Sequence, residues 1–197
     1  MENLKTAAGI VDTLPGSSKL LTPALSTRNL VIPPEDAAAV LFMSVPPPGQ
    51  SNWAWLACIV GVHEFFIGNG EIPQCQLITP LLGIVCCGSN PPSDCNRAGL
   101  ASMVLAQVNG MGRTEHVGNV VLPQVQNSIN YKIPVILSYV NQQSQENGHA
   151  VVICGYDNNG NVYVIDPASG TSMVPFNDLM AQYNKPVSEA AFVEIRK

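Results

Sequence analysis

Charged residues are scarce in this sequence. They make up 12% of its 197 residues, about half of the usual share of roughly 25%. Nine Lys and Arg stand against fourteen Asp and Glu, which gives a net charge of −5, and the basic residues form no cluster. Because proteins that bind nucleic acids or anionic membranes carry basic patches, neither kind of partner is expected.

Long hydrophobic runs are also missing. None approaches the roughly 20 residues that a helix needs to cross a bilayer. Residues 1–25 contain no unbroken apolar stretch of signal-peptide length, so no secretory leader is expected. Yet 46% of the residues are hydrophobic, and a chain of this length buries on the order of 70% of its unfolded surface. One domain with a large core is expected.

The six cysteines lack the spacing of a metal site. No CxxC pair occurs, and the adjacent Cys86 and Cys87 are a poor pair of ligands for one zinc ion. We expect neither a metal nor another cofactor. The sequence leaves open whether the cysteines form up to three disulfides or stay thiols, because this depends on the redox compartment.

Prolines divide the chain into two parts. Residues 1–45 contain four of them among scattered Ser and Thr, and the Pro-Pro-Pro-Gly block at residues 46–49 cannot continue a helix or a central strand. We predict that residues 1–45 are a loosely packed extension or the stump of a linker. Residues 46–197 are predicted to form the folded domain.

In the second part, helix signals precede strand signals. Ser51 and Asn52 are candidate caps for an apolar helix at residues 53–66, and shorter helices are expected at residues 123–131 and 176–183. Strands are predicted at residues 134–140, 149–156, 162–165 and 190–195, with a hairpin turn at residues 157–160. The pattern indicates an α+β fold in which a helical lobe precedes a lobe of mostly antiparallel sheet.

Two polar residues at strand ends are candidates for chemistry. His149 begins one predicted strand and Asp166 ends its hairpin partner, so antiparallel pairing would bring both to the same end of the sheet. A carboxylate beside a histidine fixes its tautomer and stabilises the imidazolium, as the base of a nucleophilic enzyme requires. A structural His–Asp pair is at least as common.

The segment Gln50-Ser51-Asn52-Trp53-Ala54-Trp55-Leu56-Ala57-Cys58, followed later by Gly148-His149 and Asp166-Pro167, resembles the papain-like cysteine proteases. The bacterial effector and toxin branch of that family is the most similar: it has a Gln, a Trp-Cys-Trp at the start of the central helix, Gly-His before an apolar strand, and Asp-Pro. The resemblance covers residues 46–197. It implies a papain-like α+β fold, with the nucleophile helix in one lobe and an antiparallel sheet carrying His and Asp in the other.

The resemblance also implies roles for individual residues. Ala54 occupies the nucleophile position, where the family has Cys, while His149 would be the general base and acid and Asp166 would orient it. Gln50 is the candidate oxyanion-hole donor, although it lies four residues before position 54 rather than the usual six. The candidate groove residues are Trp53, Trp55 and Gly148, although the two tryptophans are better explained as core or groove-wall aromatics than as substrate platforms.

Alanine has no lone pair with which to attack a carbonyl, so the chain as given is expected to be inactive. Ala54 has three interpretations: an engineered replacement of the nucleophile, a natural pseudoenzyme that kept its groove for binding, or a misalignment in which Cys58 is the nucleophile or there is no enzyme. Position 58 lies inside the helix, away from the free N–H groups at its start, so Cys58 is better explained as a buried thiol or half of a disulfide. His63 and His116 are interpreted as a packed helix residue and a surface residue.

The expected function is that of a cysteine endopeptidase acting on protein substrates. The resemblance suggests a bacterial effector or toxin, delivered out of the cell by a specialised secretion system and active in a target cell, with a cognate inhibitor protein as a further partner. Three alternatives stay open. A deamidase or transglutaminase-like acyltransferase would use the same thioester, a binding module would have a dead site, and a bacteriocin-leader peptidase is disfavoured because no transporter segment follows.

Overall fold

The computed structural model describes residues 29–30, 37–68, 72–108, 111–116, 120–141, 147–183, 185 and 187–195. Their elements follow in chain order: β1 (Asn29–Leu30), β2 (Ala37–Val40), β3 (Ser44–Val45), α1 (Ala54–Ile67), α2 (Gln74–Leu82), a 3-10 turn (Ser93–Cys95), α3 (Ser102–Leu105), β4 (Met111–His116), α4 (Leu122–Asn130), β5 (Val135–Val140), β6 (Gly148–Asp157), β7 (Asn161–Asp166), β8 (Gly170–Pro175), α5 (Phe176–Tyr183) and β9 (Ser188–Ile195).

Seven of the described strands form one antiparallel sheet. Its order is β4-β9-β5-β6-β7-β8, and β2 pairs with the second half of β6. β1 and β3 form a separate antiparallel pair. The longest helix precedes the sheet strands β4 to β9, so the predicted α+β class with a helical part and an antiparallel sheet is confirmed.

Helix α1 is apolar on every side, which is typical of a helix buried all round. Ten consecutive residues from Ala54 to His63 are buried, and the helix packs on β6 and β3. A Cβ at Gly61 would lie 2.7 Å from the carbonyl oxygen of Ser44, so only glycine permits this approach of β3. The helix ends at Gly68, which takes the left-handed conformation (φ 67°) and donates its N–H to Glu64 O.

The predicted caps of α1 are wrong. Trp53 occupies the N-cap position and no side chain caps the helix. Ser51 and Asn52 lie in the turn before it, and their side chains bond to Asn96 instead. A partner 44 residues away in sequence therefore takes the place of the local cap.

Residues 37–45 belong to the folded domain. Val40 pairs with Gly155 across β2 and β6, and the neighbouring apolar side chains are buried: Leu41, Met43 and Val45. The domain boundary predicted at residue 45 therefore runs through the core. A strand of only four residues gives a weak signal in the sequence. Residues 1–28 and 31–36 of the predicted extension lie outside the described residues.

Strands β4 and β8, the outer strands along the path, were not predicted. Their sequences, MGRTEH and GTSMVP, are largely polar or irregular, as is common for strands at a sheet edge. Among the described residues, no helix combines the length and apolar character needed to cross a membrane.

One disulfide joins α2 to the loop that follows it, and a second joins that loop to the 3-10 turn. Cys75 bonds to Cys87, and Cys86 bonds to Cys95 in the 3-10 turn. Cys58 and Cys154 are free and buried. The adjacent cysteines thus serve two different bridges, a pairing that the sequence left open.

Candidate active site

The β6–β7 hairpin brings His149 and Asp166 together. The turn at residues 157–160 sets a register in which Val152 faces Ile165, and continuing that register puts Asp166 diagonally across from His149 on the same face of the sheet. Nε2 of His149 lies 2.8 Å from Oδ2 of Asp166. The two side chains are 29% and 22% exposed, so the pair stays accessible at the end of the sheet.

The carboxylate of Asp166 is held by the turn after β7. Its Oδ1 accepts the backbone N–H groups of Ala168 at 2.8 Å and Ser169 at 3.4 Å. Partial burial raises the pKa of this carboxyl, but the hydrogen bond from His149 and those from the turn outweigh that effect and lower the pKa below its usual value. Asp166 is therefore ionised at neutral pH and can stabilise a protonated His149.

Ala54 is the first residue of α1 and is 4% exposed. The first N–H groups of a helix have no partner within the helix, and the positive end of the helix dipole lies there. Both features favour the thiolate form of a cysteine placed there, as in reactive cysteines at helix N-termini. The alanine itself supplies neither a nucleophile nor a proton.

The two tryptophans that flank Ala54 are anchored to residues 95–99. The indole N–H of Trp53 donates to Cys95 O at 2.7 Å, and that of Trp55 donates to Arg97 O at 3.1 Å. Both side chains are buried, with exposures of 4% and 2%. They act as wall and core residues of the site rather than as exposed platforms.

Residues 97–99 connect the start of α1 to the strand that carries His149. A Cβ at Gly99 would lie 2.7 Å from the ring of Trp55, and a Cβ at Gly148 would lie 2.6 Å from the Cβ of Ala98. Gly148 is therefore where β6 makes its close approach to this segment. Ala54 lies between Trp53 and Trp55 in the sequence. Residues 97–99 therefore connect the surroundings of Ala54 with those of His149.

Gln50 lines an open cavity of about 560 Å³ beside the start of α1, together with Gly49, Trp53, Gln74 and Gly88. Its carbonyl oxygen accepts Trp53 N–H at 3.0 Å, which closes the turn into the helix. Gln74 holds this loop: its Oε1 accepts Gly49 N–H and its Nε2 donates to Pro47 O, both at 2.8 Å. No local motif around Gln74 predicts these contacts, which join residues 25 and 27 positions apart.

A second cavity, of about 260 Å³, opens beside the His–Asp pair. Its lining residues include His149, Asp166, Tyr139, Ser172 and Tyr183. The two cavities lie on different parts of the site: one borders the loop before α1, and the other borders the sheet.

Cys58 is fully buried. Burial raises the pKa of its thiol well above the ordinary value, and the negative charge of Asp166 raises it further. A thiol in this state is protonated at neutral pH and is a poor nucleophile. The structure therefore disfavours Cys58 as the reactive cysteine and supports its interpretation as a core thiol.

Among the described side chains, His63 does not join the site. His63 is buried in α1, and burial lowers its pKa although the charge of Glu64 opposes the shift. The side chain of His116 lies outside the described residues. Within the described part of the chain, no group of three or more His, Cys, Asp or Glu side chains is arranged to hold a metal ion.

Comparisons with known proteins bear on the half of the chain that carries the His–Asp pair. Residues 97–191 match the sequence model of the Peptidase_C39 like family. No significant match is found among curated proteins.

Two solved structures are similar in fold. A double glycine motif protease from an AMS/PCAT transporter, solved in complex with the leader peptide, has a TM-score of 0.49 and 15% identity, covering 81% of this chain and 96% of that chain. A putative C39-like peptidase from Bacillus anthracis has a TM-score of 0.48 and 13% identity, covering 77% of this chain and 96% of that chain.

The matched segment contains both His149 and Asp166, whereas α1 with Ala54 precedes it. The part of this chain that carries the His–Asp pair matches the Peptidase_C39 like family, and the match supports a function of the cysteine-peptidase type.

Proposed function

We propose that this chain is a papain-like cysteine endopeptidase for protein substrates, in a form whose nucleophile position is occupied by Ala54. The observation that carries the proposal is the 2.8 Å hydrogen bond between His149 Nε2 and Asp166 Oδ2 inside the family-matched segment. This bond uses Nε2, so Nδ1 is the ring nitrogen left to exchange a proton with a nucleophile. A charged carboxylate behind a half-buried, accessible imidazole is the arrangement of an oriented general base.

The proposed reaction begins at a thiol in position 54. His149 takes the thiol proton, and the thiolate sulfur forms a bond to the substrate carbonyl carbon while the carbonyl oxygen becomes an oxyanion. Gln50 and the backbone N–H of residue 54 would receive that oxyanion. His149 then gives its proton to the leaving amine as the peptide C–N bond breaks, and water releases the acyl group as a carboxylic acid.

The alanine at position 54 removes the first step. No other described group replaces it, because Cys58 is buried and protonated. We propose that the chain as given is inactive and that Ala54→Cys restores the missing nucleophile. A lack of catalytic activity is expected whether Ala54 is an engineered replacement or marks a natural pseudoenzyme.

Labelling with a papain-type epoxide, read by intact mass, tests the site on three proteins: the chain as given, Ala54→Cys, and Ala54→Cys with His149→Ala. The expected result is a single adduct at residue 54 that requires the new thiol and slows when His149 is removed. A folded Ala54→Cys protein that forms no adduct would remove the catalytic proposal and leave the cleft as a binding surface.

The masses of the products then show which molecule accepts the acyl group from the acyl-enzyme and which reaction has taken place. Water acting on a peptide acyl group splits the chain, deamidation of glutamine adds about one dalton, and acyl transfer to an amine joins two chains. Peptide cleavage is the outcome expected from the family match.

The proposal extends to a delivered effector or toxin that acts in a target cell and is restrained by a cognate inhibitor over the cleft. This extension rests on the sequence resemblance, and the two disulfides fit a protein that passes through an oxidising compartment. Co-purification with the product of a neighbouring gene on the Ala54 form tests it. We expect to recover a partner that no longer binds when Ser89, which lines the open cavity, is substituted. Repeated failure to recover any partner would count against a cognate inhibitor.

A further inference from the structure

Three consecutive residues, Cys95, Asn96 and Arg97, are hydrogen-bonded to the residues on both sides of Ala54. The backbone oxygens of Cys95 and Arg97 accept the indole N–H groups of the flanking tryptophans. Asn96 bonds to the turn before the helix through its side chain.

The side chain of Asn96 bridges Ser51 and Asn52. Its Oδ1 accepts Asn52 N–H at 3.0 Å, and its Nδ2 donates to Ser51 Oγ at 2.9 Å. In return, Nδ2 of Asn52 donates to Asn96 O at 3.1 Å. These bonds use both ends of the Asn96 amide, so its orientation is defined by its partners.

The bridged residues stand between the two groups proposed to receive the oxyanion. Gln50 precedes them and residue 54 follows them, and the turn closes through Trp53 N–H to Gln50 O. A shift of Ser51 and Asn52 would therefore move Gln50 relative to the backbone N–H of residue 54. Oxyanion stabilisation requires donors within hydrogen-bond distance of one oxygen, so such a shift would be costly.

Asn96 is itself held in place. Its backbone N–H donates to Ser93 O at 3.0 Å, and the preceding residue, Cys95, is bonded to Cys86. The loop that carries Asn96 thus gives the turn before α1 a covalently anchored partner. The start of α1 has no side-chain cap from the local sequence that would hold it in the same way.

We propose that Asn96 is a positioning residue that sets the distance between the oxyanion donors by holding Ser51 and Asn52. It acts through these residues and not on the substrate. This inference rests on the proposed function, since it assumes that a thiol at position 54 attacks a carbonyl.

Two reagents separate positioning from general damage in the Ala54→Cys protein. p-Nitrophenyl acetate acylates the thiol through an oxyanion, whereas iodoacetamide alkylates it by displacement at carbon without one. Asn96→Ala is expected to slow acylation about tenfold or more, in line with the loss of an oxyanion donor. Alkylation should change by less than about threefold, because the base and the helix start remain.

Asn96→Asp is the conservative variant. Its carboxylate keeps one oxygen for Asn52 N–H, and the other accepts a hydrogen bond from the Ser51 hydroxyl, so acylation should stay within about threefold of the Asn96 protein. Tyr156→Phe is the matched control, because it removes one hydrogen bond, to Asn130 Oδ1, in the part of β6 that pairs with β2. It should leave both rates unchanged.

Equal loss of both rates in Asn96→Ala would overturn the inference, because it would indicate a structural role only. Unchanged acylation would overturn it as well. If Ala54→Cys itself reacts with both reagents no faster than free cysteine, the proposed function fails and this inference fails with it. If iodoacetamide alkylates Ala54→Cys faster than free cysteine but the acylation rate does not depend on Asn96, this inference alone fails and the proposed function stands.

Discussion

Gly148 lies so close to Ala98 that a Cβ atom at position 148 would be 2.6 Å from the Cβ of Ala98. The same atom would be 2.5 Å from the carbonyl oxygen of Tyr139. The conflict is steric, since the φ of Gly148 is outside the left-handed range. The absence of a side chain therefore lets the strand with His149 begin directly against the segment that anchors Trp55.

Gly148→Ala should lower the free energy of unfolding by about 1–3 kcal/mol, as expected for overpacking. Urea denaturation of Gly148→Ala and of the chain as given measures this difference in the free energy of unfolding. Adding Ala98→Gly should recover part of the loss, because it removes one of the two clashes and leaves the backbone oxygen. A loss below about 0.5 kcal/mol in Gly148→Ala would mean that the strand adjusts freely.

Asp166→Asn should destabilise the protein at neutral pH and lose that effect in acid. The pKa of Asp166 is lowered in the folded state, so its charge contributes stability above the unfolded pKa. That contribution is lost as the pH falls through the folded pKa, below the ordinary value near 3.8. Denaturation of both proteins at pH 7 and again near pH 3 tests the sign, and a gap that widens in acid would contradict it.

Cys58 and Cys154 should resist thiol reagents in the folded protein. Burial raises the pKa of Cys58 well above its ordinary value and that of Cys154 to about 12, so the thiolate population at pH 8 is very small. A disulfide reagent such as DTNB should react with neither thiol until guanidinium unfolds the chain, after which both react. The Ala54→Cys variant should show one additional, fast-reacting thiol, and fast reaction in the chain as given would contradict the burial of Cys58.

The disulfides should contribute strongly to stability. They close short loops, with sequence separations of 12 and 9, and the loop-closure argument gives each about 2–3 kcal/mol. Dithiothreitol should therefore lower the urea midpoint. The matched variant Cys86→Ser with Cys95→Ser should begin from a lower midpoint and fall less on reduction, whereas an equal fall in both proteins would show that Cys86–Cys95 contributes little.

Much of the site could be predicted from local sequence. The largely apolar character of residues 53–66 predicted a buried helix, and α1 spans Ala54–Ile67. The Asp157-Asn158-Asn159-Gly160 turn predicted the hairpin that brings His149 to Asp166. Both predictions worked because the physical cause, an apolar face or a turn geometry, lies within a few residues of its effect.

Other parts depend on residues far apart in the chain. The short strand β2 exists because β6 extends beyond β5 and offers it a partner, so the domain boundary predicted at residue 45 was wrong. The disulfide pairing and the role of Gln74 likewise have no local signal.

By itself, the sequence determined the fold class, the buried helix predicted at residues 53–66 and the hairpin that carries His149 and Asp166. Only the tertiary structure decided which side chains hold that helix start in place. Asn96 reaches Asn52 across 44 residues, and contacts of that separation depend on how the whole chain packs, not on local backbone preference.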